Sequence, residues 1–358
     1  MKNPLQTTLD RQECDNTGEE TATLNRRSFL TKSAIAGAAT LLPIAGLVKP
    51  ASAAARRSDA RGDAAILRFL AAAELLETDL WQQYTELALH NPAFMSALEN
   101  IDGDMPTYIA QNTEDELSHA EFLNAFLASE HRVTINLDRF RTLPSSKAVG
   151  ARQVGRLTNL QHLNVDTSWY TRYRSSGNPD FGDSFPQIVT IQNRPGIPLR
   201  DNYTKNEIQA IANTAAFHFA MIEQGGTSLY DVMSLKCSSL LALRVVTSIG
   251  GTEVAHFEIW NDKAGDVPAV DSGDGLVFPD LSANTHFNSK QVMPKPCKFI
   301  STKLPLCSVM RPTSFPAVSA RGVVKFLHDT GLFHGQTQEF FDVMADLAED
   351  ADEATREA

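Results

Sequence analysis

Two Glu-x-x-His motifs are the residues of this chain best suited to chemistry. The first joins Glu116 to His119 and the second joins Glu253 to His256, each in the middle of a long helical pattern. A spacing of three places the glutamate and the histidine on one face of a helix. Carboxylate and imidazole groups suit iron or manganese, and the absence of a C-x-x-C motif argues against a thiolate zinc site.

The apolar faces of these helices predict that both motifs point into a core. The face of the first motif includes Ile109, Ala120 and Leu123, and that of the second includes Val246, Ile249 and Trp260. An isolated ionised carboxylate in an apolar core is very costly, so it must be paired, protonated or bound to metal.

Two further helical patterns carry a glutamate on the apolar face. Glu77 continues the stripe of Leu70, Ala73, Leu80 and Tyr84. Glu223 shares a face with other residues, namely Ala216, Phe219 and Tyr230. Four glutamates and two histidines on four helices are the ligand set of a dinuclear carboxylate site in a bundle core. Two alternatives stay open: some of these carboxylates pair with arginines on a solvated edge, or a bound metal only holds the helices together.

The elements that would position these residues are four long helices. They are predicted at Ala64–His90, at Pro106–Glu130, from a Thr204–Glu207 capping box to Met233, and from a break at residues 237–239 to Lys263. The first two and the last two are joined by short connections, and residues 131–203 form a long crossover. The fold class is therefore all-α, with the two hairpins and one crossover of a ferritin-like four-helix bundle over residues 64–263.

Residues 264–358 form a proline-rich extension that ends in a further helix, predicted at Ser319–Leu347 with a frayed acidic end. A strand is weakly indicated at Ile188–Ile191. Cys297 and Cys307, ten residues apart in the extension, are the favoured disulfide pair, with three reduced thiols as the alternative.

The chain resembles the ferritin-like di-iron superfamily over residues 64–263. Its segments AELLETDLW, EDELSHAEFL, AMIEQGGTSLYD and TEVAHFEIW look like the branch of secreted bacterial ferritin-like domains and plant desiccation-related proteins. The resemblance implies bridging roles for Glu116 and Glu253, nitrogen ligation by His119 and His256, and a terminal carboxylate at Glu223.

The first helix offers two candidates for the remaining carboxylate. Periodicity favours Glu77, and Tyr84, seven residues later, matches an inward tyrosine common in first helices of the superfamily. Glu74, one turn earlier, is expected at the margin as a further ligand or as a partner of the ligands.

Two glycine pairs flank the glutamates of the last two helices. Gly225 and Gly226 follow Glu223, and Gly250 and Gly251 precede Glu253. Glycine inside a helix costs about 1 kcal/mol relative to alanine, so the pairs need a reason. If the last two helices are antiparallel and Glu223 lies opposite Glu253, then Gly226 lies opposite Gly250. They would then permit close backbone approach or open a path for a small oxidant; local distortion of the helices is the alternative.

The first 53 residues have the pattern of an export signal. Arg26-Arg27 precedes Phe29-Leu30, then an apolar stretch at residues 34–48 and an A-x-A cleavage site at residues 51–53. This pattern resembles a twin-arginine signal, which implies the twin-arginine export machinery as a partner and a periplasmic or secreted protein. The apolar stretch is too short to be a membrane span.

Composition excludes several classes of function. The chain has 358 residues, 42% of them hydrophobic, and a formal net charge of −11. Such an acidic balance argues against nucleic acid as a partner. We expect two metal ions, with iron favoured and manganese as the alternative, and oxygen, peroxide or iron redox chemistry. Peroxide dismutation of the manganese-catalase type and a non-enzymatic, desiccation-related metal-holding role are the competing hypotheses, and formation of a homo-oligomer stays open.

Overall fold

The computed structural model describes residues 62–175, 185–284, 287–310 and 318–356, and within them the chain is mostly helical. The predicted signal segment lies outside the described residues. Eight α-helices occur in the described part of the chain: α1 (Asp63–His90), α2 (Pro92–Glu99), α3 (Met105–Ser129), α4 (Ser168–Arg174), α5 (Lys205–Ser234), α6 (Leu240–Gly265), α7 (Ala320–Asp329) and α8 (Gln338–Glu353).

The four long helices, α1, α3, α5 and α6, begin and end close to the predicted residues, and local capping explains their bounds. Thr204 and Glu207 form the predicted capping box at the start of α5. Ser239 accepts a hydrogen bond from the backbone of Ala242 and so caps α6. Asn91 follows α1 and caps the short helix α2, which the sequence did not predict. A proline in the first turn suits α2, because that position needs no N–H donor.

The long helices pack as two antiparallel pairs. In the first pair, Thr85 of α1 bonds to Thr113 of α3 through hydroxyl oxygens 2.6 Å apart. In the second pair, Gly226 of α5 lies beside Glu253 of α6, and Gly250 of α6 lies beside Tyr230 of α5. Side chains of all four helices belong to one continuous apolar core.

The crossover of residues 131–203 is bound to α1 by two buried carboxylates. Asp79 accepts hydrogen bonds from the backbone N–H groups of Leu157 and Thr158, at 3.0 and 2.9 Å. Glu86 forms a buried ion pair with Arg156 at 2.5 Å. Two short strands, β1 (Leu163–Val165) and β2 (Ile191–Arg194), pair antiparallel within the crossover. The second strand begins at the end of the segment where a strand was weakly indicated.

The C-terminal extension differs from the prediction of a single helix with a frayed end. It contains a small hairpin of β3 (Val270–Asp271) and β4 (Val277–Phe278), and then α7 and α8. The two helices are separated at Gly331 and Gly335, whose φ angles of 85° and 91° interrupt a right-handed helix. The acidic end is helical to Glu353, because Asp352 accepts hydrogen bonds from the backbone N–H groups of Ala320 and Arg321. Negative charge at the start of α7 is favourable.

The favoured cysteine pair lies in register but forms no disulfide. Cys297 and Cys307 are directly opposite each other, with reciprocal backbone hydrogen bonds of 2.9 Å, and the structure has no disulfide between them. Among the described residues, no helix is both long enough and apolar enough to cross a membrane.

Candidate metal centre

Two groups of four buried side chains meet between the long helices, and each group could hold a metal ion. One consists of Glu74, Glu116, His119 and Glu253, and the other of Glu116, Glu223, Glu253 and His256. The candidate ligand atoms within each group lie within 4.8 Å of one another. Because Glu116 and Glu253 belong to both groups, the two positions are adjacent and share two carboxylates.

His119 directs its Nδ1 atom at three carboxylates of the first group. This atom lies 3.1 Å from Glu116 Oε2 and 3.5 Å from both Glu74 Oε2 and Glu253 Oε1. The three-residue spacing of the motif produces the Glu116 contact, since both side chains leave α3 on the same face.

His256 makes the equivalent contacts in the second group. Its Nδ1 atom lies 2.9 Å from Glu116 Oε1 and 3.3 Å from Glu223 Oε2. Its other ring nitrogen, Nε2, lies 3.1 Å from Asp115 Oδ2. Histidines that ligate metals usually donate their second ring N–H to such a partner, which fixes the tautomer and the ring orientation.

On α1 the structure brings Glu74 into the first group and leaves Glu77 outside both groups. Helical periodicity favoured Glu77, whereas the contact of Glu74 Oε2 with His119 Nδ1 favours Glu74 as the candidate ligand. The two residues are one turn apart, so both face the interior, and the rotation of α1 decides which carboxylate reaches His119. Glu77 is nevertheless close: burial, and then the charges of Glu116, Glu223, Glu253 and Glu74, raise its pKa well above the ordinary value.

Two further side chains, Asn112 and Tyr230, bind the carboxylates, and neither was among the candidate site residues predicted from the sequence. Asn112 donates to Glu116 Oε1 at 2.7 Å and to Glu223 Oε1 at 2.9 Å, and accepts from Trp260 Nε1 at 2.7 Å. Tyr230 donates its hydroxyl to Glu74 Oε1. A signal was present, because Asn112 lies one turn before Glu116 and Tyr230 lies two turns after Glu223.

Tyr84 and His218 form a separate buried contact. The hydroxyl of Tyr84 lies 2.9 Å from His218 Nδ1, and Tyr84 faces the interior as expected. Burial lowers the pKa of His218 to about 3, and the ring is neutral at physiological pH.

Without metal, the cluster retains protons. Burial, and then the charge of Glu223, raises the pKa of Glu116 to about 7. Burial and the charge of Glu116 raise the pKa of Glu253 well above its ordinary value. Burial alone would lower the pKa of His119, but the close carboxylates of Glu116, Glu253 and Glu74 outweigh this effect and raise the pKa to about 12.

Several carboxylate oxygens in the cluster lack a hydrogen bond. They are Glu74 Oε2, Glu223 Oε2 and both oxygens of Glu253, all buried. Buried acceptors without partners are expensive, and a cation that they ligate removes that cost. The donor set of carboxylates and imidazoles therefore fits hard or borderline ions such as iron and manganese.

Gly226 is required where α5 meets the cluster. A Cβ atom at this position would lie 2.2 Å from Glu253 Oε2, so any side chain displaces that carboxylate. A Cβ at Gly250 would lie 2.8 Å from Tyr230 Cβ. The close approach expected of the glycines is present. Gly226 and Gly250 are not opposite each other, however: they are offset by about one helical turn along the α5–α6 pair, because Gly226 lies beside Glu253 and Gly250 beside Tyr230.

Comparison with known proteins adds no assignment: no protein-family model, curated protein or solved structure gives a significant match.

Proposed function

We propose that this protein is a ferritin-like four-helix bundle that binds a dinuclear metal centre and works in oxygen, peroxide or iron redox chemistry. One observation carries the proposal: the two buried ligand groups share Glu116 and Glu253. A shared pair of carboxylates is the arrangement that holds two ions side by side.

The position of each candidate ligand suggests its role at the two metal positions. Glu116 and Glu253 would bridge the ions, Glu74 and His119 would complete one position, and Glu223 and His256 would complete the other. When bound, two adjacent redox-active ions would supply electrons to dioxygen or peroxide, or accept electrons from peroxide when peroxide is the reductant. Asn112, Tyr230 and Asp115 orient the ligands through hydrogen bonds.

Metal analysis tests the centre directly. Purified protein is expected to hold two ions per chain, with iron favoured over manganese. Glu116→Gln and Glu253→Gln should each lower the occupancy of both positions, whereas His256→Ala should weaken one position more than the other. His218→Gln is the matched control, because His218 is equally buried but belongs to neither group. Full occupancy in all three ligand variants would refute the site.

Turnover assays on the metal-loaded protein separate the kinds of activity. Consumption of dioxygen with oxidation of ferrous iron supports the oxidase proposal. Release of dioxygen from hydrogen peroxide by manganese-loaded protein supports the catalase-type alternative. Full metal occupancy without any turnover supports a holding role.

We also propose export by the twin-arginine route, on the strength of Arg26-Arg27 and the apolar stretch that follows. Replacing both arginines with lysine should retain the protein in the cytoplasm. Unchanged export of that variant would refute this proposal without affecting the metal centre.

A further inference from the structure

An apolar cavity of about 120 Å³ lies beside the candidate metal centre. Residues of α1, α5 and α7 line it, among them Leu76, Leu80, Met221, Ile222, Val323 and Phe326. The C-terminal extension therefore completes a wall that the four long helices leave open.

The lining of the cavity has few polar side chains. Of the described residues that line it, Glu77 and Ser228 have polar side chains. Glu77 Oε1 is shielded from solvent and has no hydrogen-bond partner. A buried carboxylate oxygen without a hydrogen bond costs free energy. The site therefore favours an occupant with one group that can hydrogen-bond to Glu77.

The glycine pair of α5 separates the cavity from the metal ligands. Gly225 and Gly226 both line the cavity. A Cβ atom at Gly225 would meet no other atom within 4 Å, whereas one at Gly226 would meet Glu253 Oε2 at 2.2 Å. An occupant of the cavity would thus lie one helix backbone away from a carboxylate shared by both ligand groups.

We propose that this cavity binds a small, largely apolar organic molecule with one hydrogen-bonding group, about the size of a single aromatic ring. The size follows from the volume, since a cavity of about 150 Å³ with apolar walls is known to bind benzene. The apolar walls bind the ring, and Glu77 binds its polar group. The inference adds a ligand class to the proposed metal centre, but binding does not require the metals, so the two proposals can fail separately.

Calorimetric titration of the full chain with phenol tests the inference, with benzene as the probe that lacks the hydroxyl. Phenol should bind saturably at one molecule per chain, with and without metal, and more tightly than benzene. Gly225→Leu should weaken phenol binding at least about tenfold, because the new side chain fills the cavity. Gly251→Leu is the matched control: this helical glycine also has open space at its Cβ but does not line the cavity.

A second pair of variants keeps the test decisive if Gly225→Leu fails to fold. Val323→Phe fills the cavity from α7 and should weaken phenol and benzene alike. Glu77→Leu should abolish only the preference for phenol over benzene. The inference is overturned if phenol does not saturate the wild type, or if the cavity-filling variants bind it as tightly as Gly251→Leu does. Metal content measured on the same samples reports separately on the proposed centre.

Discussion

Tyr230 and Tyr84 are two buried tyrosines with different partners, and they offer a matched test at the scale of single residues. Tyr230 donates to Glu74, whereas Tyr84 contacts His218. Tyr230→Phe should release Glu74 and weaken metal binding at the position that includes His119. Tyr84→Phe removes the same atom and should leave metal affinity unchanged. Titration of metal-free protein with ferrous iron or manganese measures both, and equal affinities in the two variants would contradict this role of Tyr230.

Asp115 provides a second residue-scale prediction. Its carboxylate lies 3.1 Å from His256 Nε2 and fixes the ring that directs Nδ1 at Glu116 and Glu223. Partners of this kind are typically worth 10–100-fold in metal affinity. Because Asp115 is half-exposed, we expect a loss of about tenfold in Asp115→Asn, confined to the position that includes His256. Glu114→Gln, which removes the same charge one residue earlier, should leave the metal affinity of that position unchanged.

The choice between Glu74 and Glu77 marks the limit of sequence reasoning about the site. Helical spacing was sufficient to predict that Glu116, His119, Glu223, Glu253 and His256 face the interior, because each lies on a clear apolar stripe. It could not separate residues one turn apart on α1. Which of the two reaches His119 depends on the rotation of α1 against α3, and that rotation is set by packing of the whole interface.

At the scale of elements, the approach of α5 to α6 predicts opposite effects for neighbouring glycines. Gly226→Ala should push Glu253 out of place and lower the metal content. Gly225→Ala should keep the metal and raise the free energy of unfolding by about 0.5–1 kcal/mol, because alanine favours the helix and its methyl group has space. Metal analysis and urea unfolding of the two variants test the pair, and equal metal content would show that Glu253 adapts.

Helix bounds were largely predictable, and the exceptions have local causes. Capping residues such as Thr204 and Ser239 announce the starts of α5 and α6 in the sequence. The division between α7 and α8 was not predicted. Gly331 and Gly335 adopt left-handed backbone conformations there, and the spacing of apolar residues does not indicate such conformations. The order at the acidic end was missed because it depends on a tertiary contact, from Asp352 to the start of α7.

For the molecule as a whole, we expect the buried carboxylates to lower the stability of the metal-free protein and to raise its affinity for metal. Glu253 is fully buried among like charges, and burial raises its pKa. In metal-free protein, Glu253→Gln should therefore raise the free energy of unfolding, on the order of 1 kcal/mol. With metal in excess the ranking should reverse, because the wild type binds metal more tightly and gains more free energy from binding. Urea unfolding with and without metal tests this, and a variant less stable in both conditions would contradict it.

His218 gives the molecule a defined response to acid. Burial lowers its pKa to about 3, below the ordinary value of 6.5, so the folded state resists protonation. Its contribution to stability is complete above pH 6.5 and is lost as the pH falls towards about 3. The stability of the wild type relative to His218→Gln should then fall by up to about 1.4 kcal/mol per pH unit in this range. Comparing the two proteins cancels the other titrating groups, and a constant difference across the range would refute the assignment.

The position of α7 in the chain has a consequence for the order of biosynthesis. The last candidate ligand, His256, precedes the whole of α7, the helix that completes the cavity wall. The ribosome therefore synthesises all the candidate ligands before it synthesises α7, which lines the cavity beside them. We therefore expect metal and small molecules to reach the candidate ligands most easily before α7 docks, a contact that Asp352 of α8 holds through the backbone of Ala320 and Arg321.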